Sequence, residues 1–325
     1  MGYVYAFLKT ETGLKALQAN NYGAVIDHIE PEHLRNVPIP NPPEEVKKEI
    51  HDLVVRSYEL RDGSNDLMEQ AQNLLYEALG LPRRVKPQPE YYAQEAGFRN
   101  FSVNSSRLNA RLDTSYHLPE IDEIVHLISK NAKEVTTLGD PRITKAITLP
   151  GRFKRVYVDK EYGVPFFGGK ELLSLDPTGD KYLSFSKHNA RIKKELMLEE
   201  NMTLITRSGT VGKIALAPKH WSGWVANDHI IRIAPSDNRV SGYIYAWLTS
   251  EICLPLIERH IYGAVVDEIT EKHVADIQIP LLKNNKNQKN INDTVLAANE
   301  LRYQAYLKEE EALGLMNEII YKCEG

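Results

Sequence analysis

A chain of 325 residues is long enough for two domains and a substantial buried core. At 42% hydrophobic and 26% charged residues it has the composition of a globular protein, and no apolar run approaches the roughly 18 residues that span a bilayer. The N-terminus carries no signal-peptide pattern, and two cysteines, Cys253 and Cys323, exclude a disulfide framework or a cysteine-rich zinc site, so no membrane role and a cytoplasmic location are expected.

The formal net charge of −4 conceals a split. Residues 141–220 hold fifteen Lys/Arg against eight Asp/Glu, and the remainder holds twenty-five against thirty-six. The basic segment is a candidate polyanion surface, because phosphate binding requires cations.

In chain order, residues 3–17 have helical composition, with Phe7, Leu8, Leu14 and Leu17 at helical spacing. A loop through Tyr22-Gly23 leads to a strand-like run, Val25 to Ile29, and residues 27–34 resemble a capped helical turn. Val37-Pro38-Ile39-Pro40 must be extended, since proline disfavours helix in the residue before it. Pro43 suits the first turn of the helix that follows.

That helix is expected over residues 44–79. Leu53, Leu60, Leu67 and Leu74 fall seven apart, and the companion series Ile50, Ser57, Ser64, Ala71 and Ala78 is mostly small, which lets a partner helix approach closely. Asp62-Gly63-Ser64 weakens the middle, as Gly costs about 1 kcal/mol relative to Ala inside a helix.

Residues 3–40 recur as residues 243–280 at a constant offset of 240, with fifteen identities in thirty-eight ungapped positions. The shared heart is Tyr22-Gly23-Ala24-Val25 with Asp27 and Ile29, against Tyr262-Gly263-Ala264-Val265 with Asp267 and Ile269. Such a repeat marks a duplicated unit. A polar loop, residues 283–290, and a second helix to about Lys322 complete it. There Ile291, Ala298, Ala305, Ala312 and Ile319 match the Ile50 series at an offset of 241, while Leu301 and Leu315 match the leucines and Lys308 stands opposite Leu67. The two helices are expected to pair, each covering the other's apolar stripe.

Between the copies, residues 82–89 read as an exposed linker, residues 98–119 as polar and extended, and residues 121–129 as an amphipathic helix. Short β-type runs follow at residues 155–158, 164–167, 203–206, 213–216 and 230–233, separated by glycines. The expected fold class is α+β, a β-rich domain joined to long antiparallel coiled-coil helices.

No catalytic constellation emerges. Asn41-Pro42-Pro43-Glu44 lacks the aromatic residue that stacks a flipped base. Gly209-Thr210-Val211-Gly212-Lys213 is too short for a phosphate loop and leads into strand, so it reads as a hairpin turn presenting Arg207, Ser208 and Thr210. His188, His220 and His229 have no ligand-type neighbours at helical spacing, so no metal site is expected.

Two copies of helix, Tyr-Gly-Ala-Val, Ile-Pro and heptad helix, separated by a basic β-rich segment with Arg-Ser-Gly-Thr-Val-Gly-Lys, resemble the specificity subunits of type I restriction–modification enzymes. Arg107 to Pro119 resembles the opening of a target-recognition domain in that family. The resemblance implies a remnant of a first recognition domain (1–43), a first spacer helix (44–81), a linker (82–97), a complete recognition domain (98–283) and a second spacer helix (284–325). The coiled-coil seam would use Ile50, Leu53, Leu60, Leu67, Leu74, Ile291, Ala298, Leu301, Leu315 and Ile319.

It further implies a non-catalytic subunit without its own cofactor, one that reads half of a bipartite duplex DNA site. Methylase and restriction subunits would supply the chemistry, with S-adenosylmethionine bound by the methylase, and the spacer helices with the small repeat would be its docking surface. The absent first domain implies a homodimer or a second partial subunit. Candidate DNA contacts are Arg152, Lys154, Arg155, Lys170, Lys187, His188, Arg191, Lys193, Lys194, Arg207, Ser208, Thr210, Lys213, Asn227 and His229, with Arg207 and Thr210 foremost. The alternative is a coiled-coil assembly scaffold that does not bind DNA.

Overall fold

Thr10 splits the first expected helix in two. Its backbone is extended, and its side chain accepts from the Gly13 amide, so helix α1 (Gly2–Lys9) ends and α2 (Glu11–Gln18) begins around a threonine cap. The computed structural model describes residues 1–19, 30–85, 100–108, 110–177 and 181–324. The Val25 to Ile29 run lies outside them, as do half of the 82–89 linker and the start of the expected turn at 27–34, of which α3 (Pro31–Arg35) is described.

The described residues divide into two compact units, Met1–Asn65 with Leu301–Gly325, and Asp66–Glu300. The division runs through both long helices, α4 (Glu44–Leu79) and α10 (Asn285–Glu324). Helix α4 continues unbroken through Gly63. Helix α10 starts before the expected residue 291, because the Asn284 side chain accepts from the Lys286 amide and its carbonyl from the Asn287 amide. This cap draws the polar Asn-Lys-Gln stretch into the helix.

In unit 1, Ile50 and Val54 of α4 share a core with Ala312, Met316 and Ile320 of α10, and with Tyr3, Phe7 and Val37. In unit 2, Ala71 and Leu75 of α4 share a core with Ile291 and Val295 of α10. Within each unit one helix's early part meets the other's late part, which makes the pair antiparallel.

The most buried stripe is the small-residue series: Ile50, Ser57, Ser64 and Ala71 on α4, and Ile291, Ala298, Ala305 and Ala312 on α10. Leu53, Leu60, Leu67, Leu74, Leu301, Leu315 and Ile319 are only half-buried and flank it. Small side chains bring the backbones close enough for Ser57 Oγ to donate to the Ala305 carbonyl at 2.8 Å.

Unit 2 contains the β structure. Strands β2 (Thr144–Thr148), β9 (Ile230–Pro235), β6 (Thr203–Thr206) and β7 (Ile214–Leu216) form an antiparallel sheet in that order. A second sheet runs β3 (Tyr157–Val158), β5 (Tyr182–Ser184), β4 (Gly163–Phe167), β8 (Val225–Ala226), with β4 and β8 parallel. Strand β1 (Glu134–Thr137) pairs antiparallel with β10 (Gln278–Leu281). Helix α5 (Pro119–Asn131) buries Ile121, Ile124 and Ile128, and α7 (Asn238–Leu248) lies against β6, β7 and β9.

Both repeat copies close in the same way. Tyr3 Oη donates to the Pro40 carbonyl at 2.8 Å and Tyr243 Oη to the Pro280 carbonyl at 2.6 Å. The Gly2 amide donates to His51 Nδ1 of α4 and the Gly242 amide to Asn292 Oδ1 of α10. The second copy also holds α8 (Leu254–Glu258) and α9 (Glu271–Ala275), the latter in register with α3.

Candidate nucleic-acid interface

The β6–β7 hairpin is built by its own residues. Gly209 and Gly212 have φ of +74° and +87°, a region that side chains with a Cβ disfavour. Thr206 Oγ1 donates to the Thr210 carbonyl at 2.6 Å and accepts from the Lys213 amide at 3.0 Å. The turn leaves Thr210 exposed, with Arg207, Ser208 and Lys213 half-buried. Arg207 already has a partner, Glu268 of the second repeat, and its side chain is only 14% exposed. Ser208 Oγ lies 2.6 Å from His229 Nδ1, which ties the turn to the β8–β9 loop.

That loop is held from below by Arg232, whose guanidinium lies inside the fold at 2% exposure. It donates to the carbonyls of Asn227 at 3.1 Å, Ile230 at 2.6 Å and Leu196 at 3.3 Å, and to that of Ala226. Burial pushes its pKa down to about 9, against the pull of Glu195 and Asp228. Above it, Asn227 Oδ1 accepts from the His229 amide at 2.9 Å.

Buried Asp228 pairs with Arg155. Burial works against both charges, but each partner's charge wins: the carboxyl is held below its usual range and the guanidinium above.

Arg155, Lys170 and Asn227 line a cleft of about 280 Å³ with Tyr157, Phe166 and Lys181. The Gly168-Gly169 turn closes it: a Cβ at Gly168 would stand 2.9 Å from Asn227, and one at Gly169 2.9 Å from Thr206. Cleft and hairpin therefore form one continuous region. Among the described residues Lys170 and Lys181 form no ion pair, so cations stand beside aromatic and amide groups, the elements of phosphate and base contact.

The remaining candidates form a flank. Helix α6 (Phe185–Arg191) carries Lys187, His188 and Arg191, and one π-helical turn, Ile192–Leu196, adds Lys193 and Lys194. His188 Nε2 accepts from the Val156 amide at 3.2 Å, and Arg191 bonds the Gly151 carbonyl, pairs with Glu195 at 2.7 Å and lies 4.5 Å over the Phe153 ring. These two side chains staple the loop that carries Arg152, Lys154 and Arg155. Arg152, Lys154, Lys187, Lys193 and Lys194 are exposed.

All fifteen candidates thus lie on three connected pieces of unit 2. Arg155, His188, Arg191 and Arg207 are engaged in internal contacts; Lys170, Thr210 and the exposed flank cations present free donors. Sequence reasoning did not single out Lys181, Tyr157, Asp228 or Arg232. Arg232 did leave a signal, a lone cation in the apolar run Ile230-Ile231-Arg232-Ile233. Among the described residues no group of three or more His, Cys, Asp or Glu could hold a metal ion, and no helix is long and apolar enough to cross a membrane.

A family model described as the type I restriction modification DNA specificity domain matches residues 153–297. No protein of curated function matches the chain. Among solved structures, the S subunit of a type I restriction-modification system from M. genitalium is similar at 14% identity and a TM-score of 0.41, over 98% of this chain and 71% of that one. The HsdS subunit from Thermoanaerobacter tengcongensis is similar at 16% identity and a TM-score of 0.38, over 99% of this chain and 69% of that one.

Proposed function

We propose that this chain reads duplex DNA through unit 2 as a non-catalytic recognition module, a reading supported by the match of residues 153–297 to the model of the type I restriction modification DNA specificity domain. The β6–β7 hairpin, the Lys170–Lys181 cleft and the cations of α6 make the contacts. The observation that carries this reading is coincidence: fourteen of the fifteen candidate contacts fall inside the matched residues, and Arg152 abuts them.

The division of labour follows from the chemistry of the groups. Exposed lysines hold phosphates without reading sequence, while Thr210, Asn227 and the cleft's amide and aromatic groups face base edges. The partners are duplex DNA and the methylase and restriction subunits, which the chain directs to one half of a bipartite site, with the long helices as docking surface. In domain terms, residues 98–283 form the recognition domain, residues 44–81 and 284–325 the spacer helices, residues 82–97 the linker, and residues 1–43 the tail of another recognition domain.

Duplex binding measured by anisotropy across a salt series tests this. Binding is expected to weaken linearly in log salt, and Lys170→Ala with Lys181→Ala to lower that slope by about 1–2, close to one unit for each phosphate no longer neutralised. An intact chain that ignores duplex DNA at every salt concentration, with or without methylase, would sink the reading.

A further inference from the structure

Residues 262–267 of unit 2, Tyr-Gly-Ala-Val-Val-Asp, form an unbroken exposed run in which Val265 is 96% and Val266 50% exposed. Clustered aliphatic side chains held out in water add nothing to the fold that carries them and mark a contact surface. The loop is nevertheless built to hold them in place. The Tyr262 amide donates to the Glu268 carbonyl at 3.0 Å and the Glu268 amide to the Tyr262 carbonyl at 2.8 Å, which closes its neck. Gly263 has a φ of +130°, and a Cβ there would stand 2.0 Å from the Val266 carbonyl oxygen, so the loop folds back into space that only glycine leaves free. A tip fixed in this way meets a partner with little further loss of chain entropy.

The neck is joined directly to the β6–β7 hairpin. The Ile269 amide donates to the Arg207 carbonyl at 2.9 Å, Ser208 and Glu268 form an antiparallel bridge, and the Glu268 carboxylate pairs with Arg207. Whatever lies on the hairpin turn therefore has the tip beside it. Asp267 is the only charged residue of the exposed run, so the tip offers phosphates no cation and its chemistry is apolar.

The repeat shows that this chemistry is independent of what is read. Tyr-Gly-Ala-Val is the longest unbroken run of identities between the copies, and its first occurrence, residues 22–25, lies outside the described residues. Buried positions of the copies meanwhile differ, Phe7 against Trp247 and Val37 against Ile277. Closure of the loop accounts for the glycine but not for the alanine and valine side chains. A surface that both copies meet in the same form accounts for them, and the sugars and stacked bases of a duplex present such a surface whatever the sequence.

We propose that Ala264, Val265 and Val266 form an apolar wedge that packs on the sugar and base surface of duplex DNA beside the hairpin, without reading sequence. This rests on duplex binding by unit 2 as proposed above, yet the two can fail separately.

Duplex binding by the intact chain, followed by anisotropy across a salt series and by calorimetry across temperature, is compared between wild type, Val265→Ser, and Val265→Ser combined with Val266→Ser. Affinity is expected to fall roughly tenfold, the effect of keeping one valine side chain in water, and by the same factor on two duplexes of unrelated sequence. The salt slope should stay at its wild-type value, because no phosphate contact is lost, and the heat capacity change of binding should become less negative. Leu254→Ser, at an exposed apolar position of α8, should change none of these. All of these variants alter exposed side chains, so circular dichroism and the thermal midpoint should hold. Wild-type affinity in the double variant overturns the wedge and leaves the proposed function standing, as does a loss confined to one sequence or one accompanied by a lower slope. Duplex binding that survives the double variant while binding to methylase is lost would give the tip to a protein partner and overturn the wedge equally. A wild-type chain that binds no duplex removes both.

Discussion

Arg232 is the residue on which the interface depends most while touching none of its surface. A guanidinium is normally found with a carboxylate, yet here its bonds go to backbone carbonyls of residues 196, 226, 227 and 230. Its work is to fix the path of the β8–β9 loop, and with it Asn227, Asp228 and His229. Arg232→Met keeps the bulk and removes the donors, leaving buried carbonyls unbonded at a cost of about 1–3 kcal/mol. The expected outcome is a folded protein with faster amide exchange over residues 226–230 and weaker duplex binding. Full affinity with loop exchange unchanged would remove Arg232 from this role.

Residue chemistry was only partly legible in the sequence. Gly209, Thr210 and Gly212 announced a hairpin because turn geometry is written locally. The masking of Arg207 by Glu268 and of Arg155 by Asp228 was not, since the partners lie 61 and 73 residues away. Charge composition therefore marked the right segment but overstated how many of its cations are free.

Among the elements, the long helices were the clearest, since heptad spacing needs no tertiary context. Of the expected seam, Ile50, Ile291 and Ala298 lie in the deepest stripe, with Ser57, Ser64, Ala71, Ala305 and Ala312, while the leucines flank it. The reason is distance, because only small side chains admit the Ser57 Oγ to Ala305 carbonyl bond. Ala305→Leu should overpack this seam and destabilise unit 1 by about 1–3 kcal/mol, read as a lower denaturation midpoint. Leu60→Ala, at the flank, should cost less. Reversal of that order would return the seam to the leucines.

Strand β1 was missed for the opposite reason. Glu134-Val135-Thr136-Thr137 has little apolar alternation, and its partner β10 lies more than 140 residues on. Sheet pairing of such range is written in neither partner alone.

At the scale of the whole chain, unit 2 holds a joint with a pH signature. His260 is 8% exposed and stacks on His273 at 5.3 Å, with Tyr116 at 5.9 Å edge-on. Arg259 lies 4.3 Å over the same Tyr116 ring, and Arg111, 4.8 Å from its centroid, pairs with Asp113. Burial first, then the positive charges of Arg259, His273 and Arg111, push the His260 pKa down to about 3, with only Asp113 opposing. Below its ordinary value near 6.5 the unfolded chain takes a proton that the folded one refuses. Stability from this site is thus complete above about pH 6.5 and lost as pH falls toward 3. The thermal midpoint should decline between pH 6.5 and 4 in the wild type and less steeply in His260→Gln; parallel profiles would exclude His260 as the source.

The duplication itself was plain in the sequence, but the exposure of its most closely kept run was not, because exposure is a property of neighbours. One small asymmetry remains informative. The small repeat matches at an offset of 240, yet α4 begins at residue 44 and α10 at residue 285, an offset of 241. One residue has been gained or lost at the joint between the Ile-Pro strand and the helix, and both copies still close. Inside the helix the same event would turn every following side chain by about 100° and carry the small-residue stripe off the seam. The joint tolerates a change in length that the helix four residues later would not survive, so drift between such copies should collect at residues 41–43 and 281–284.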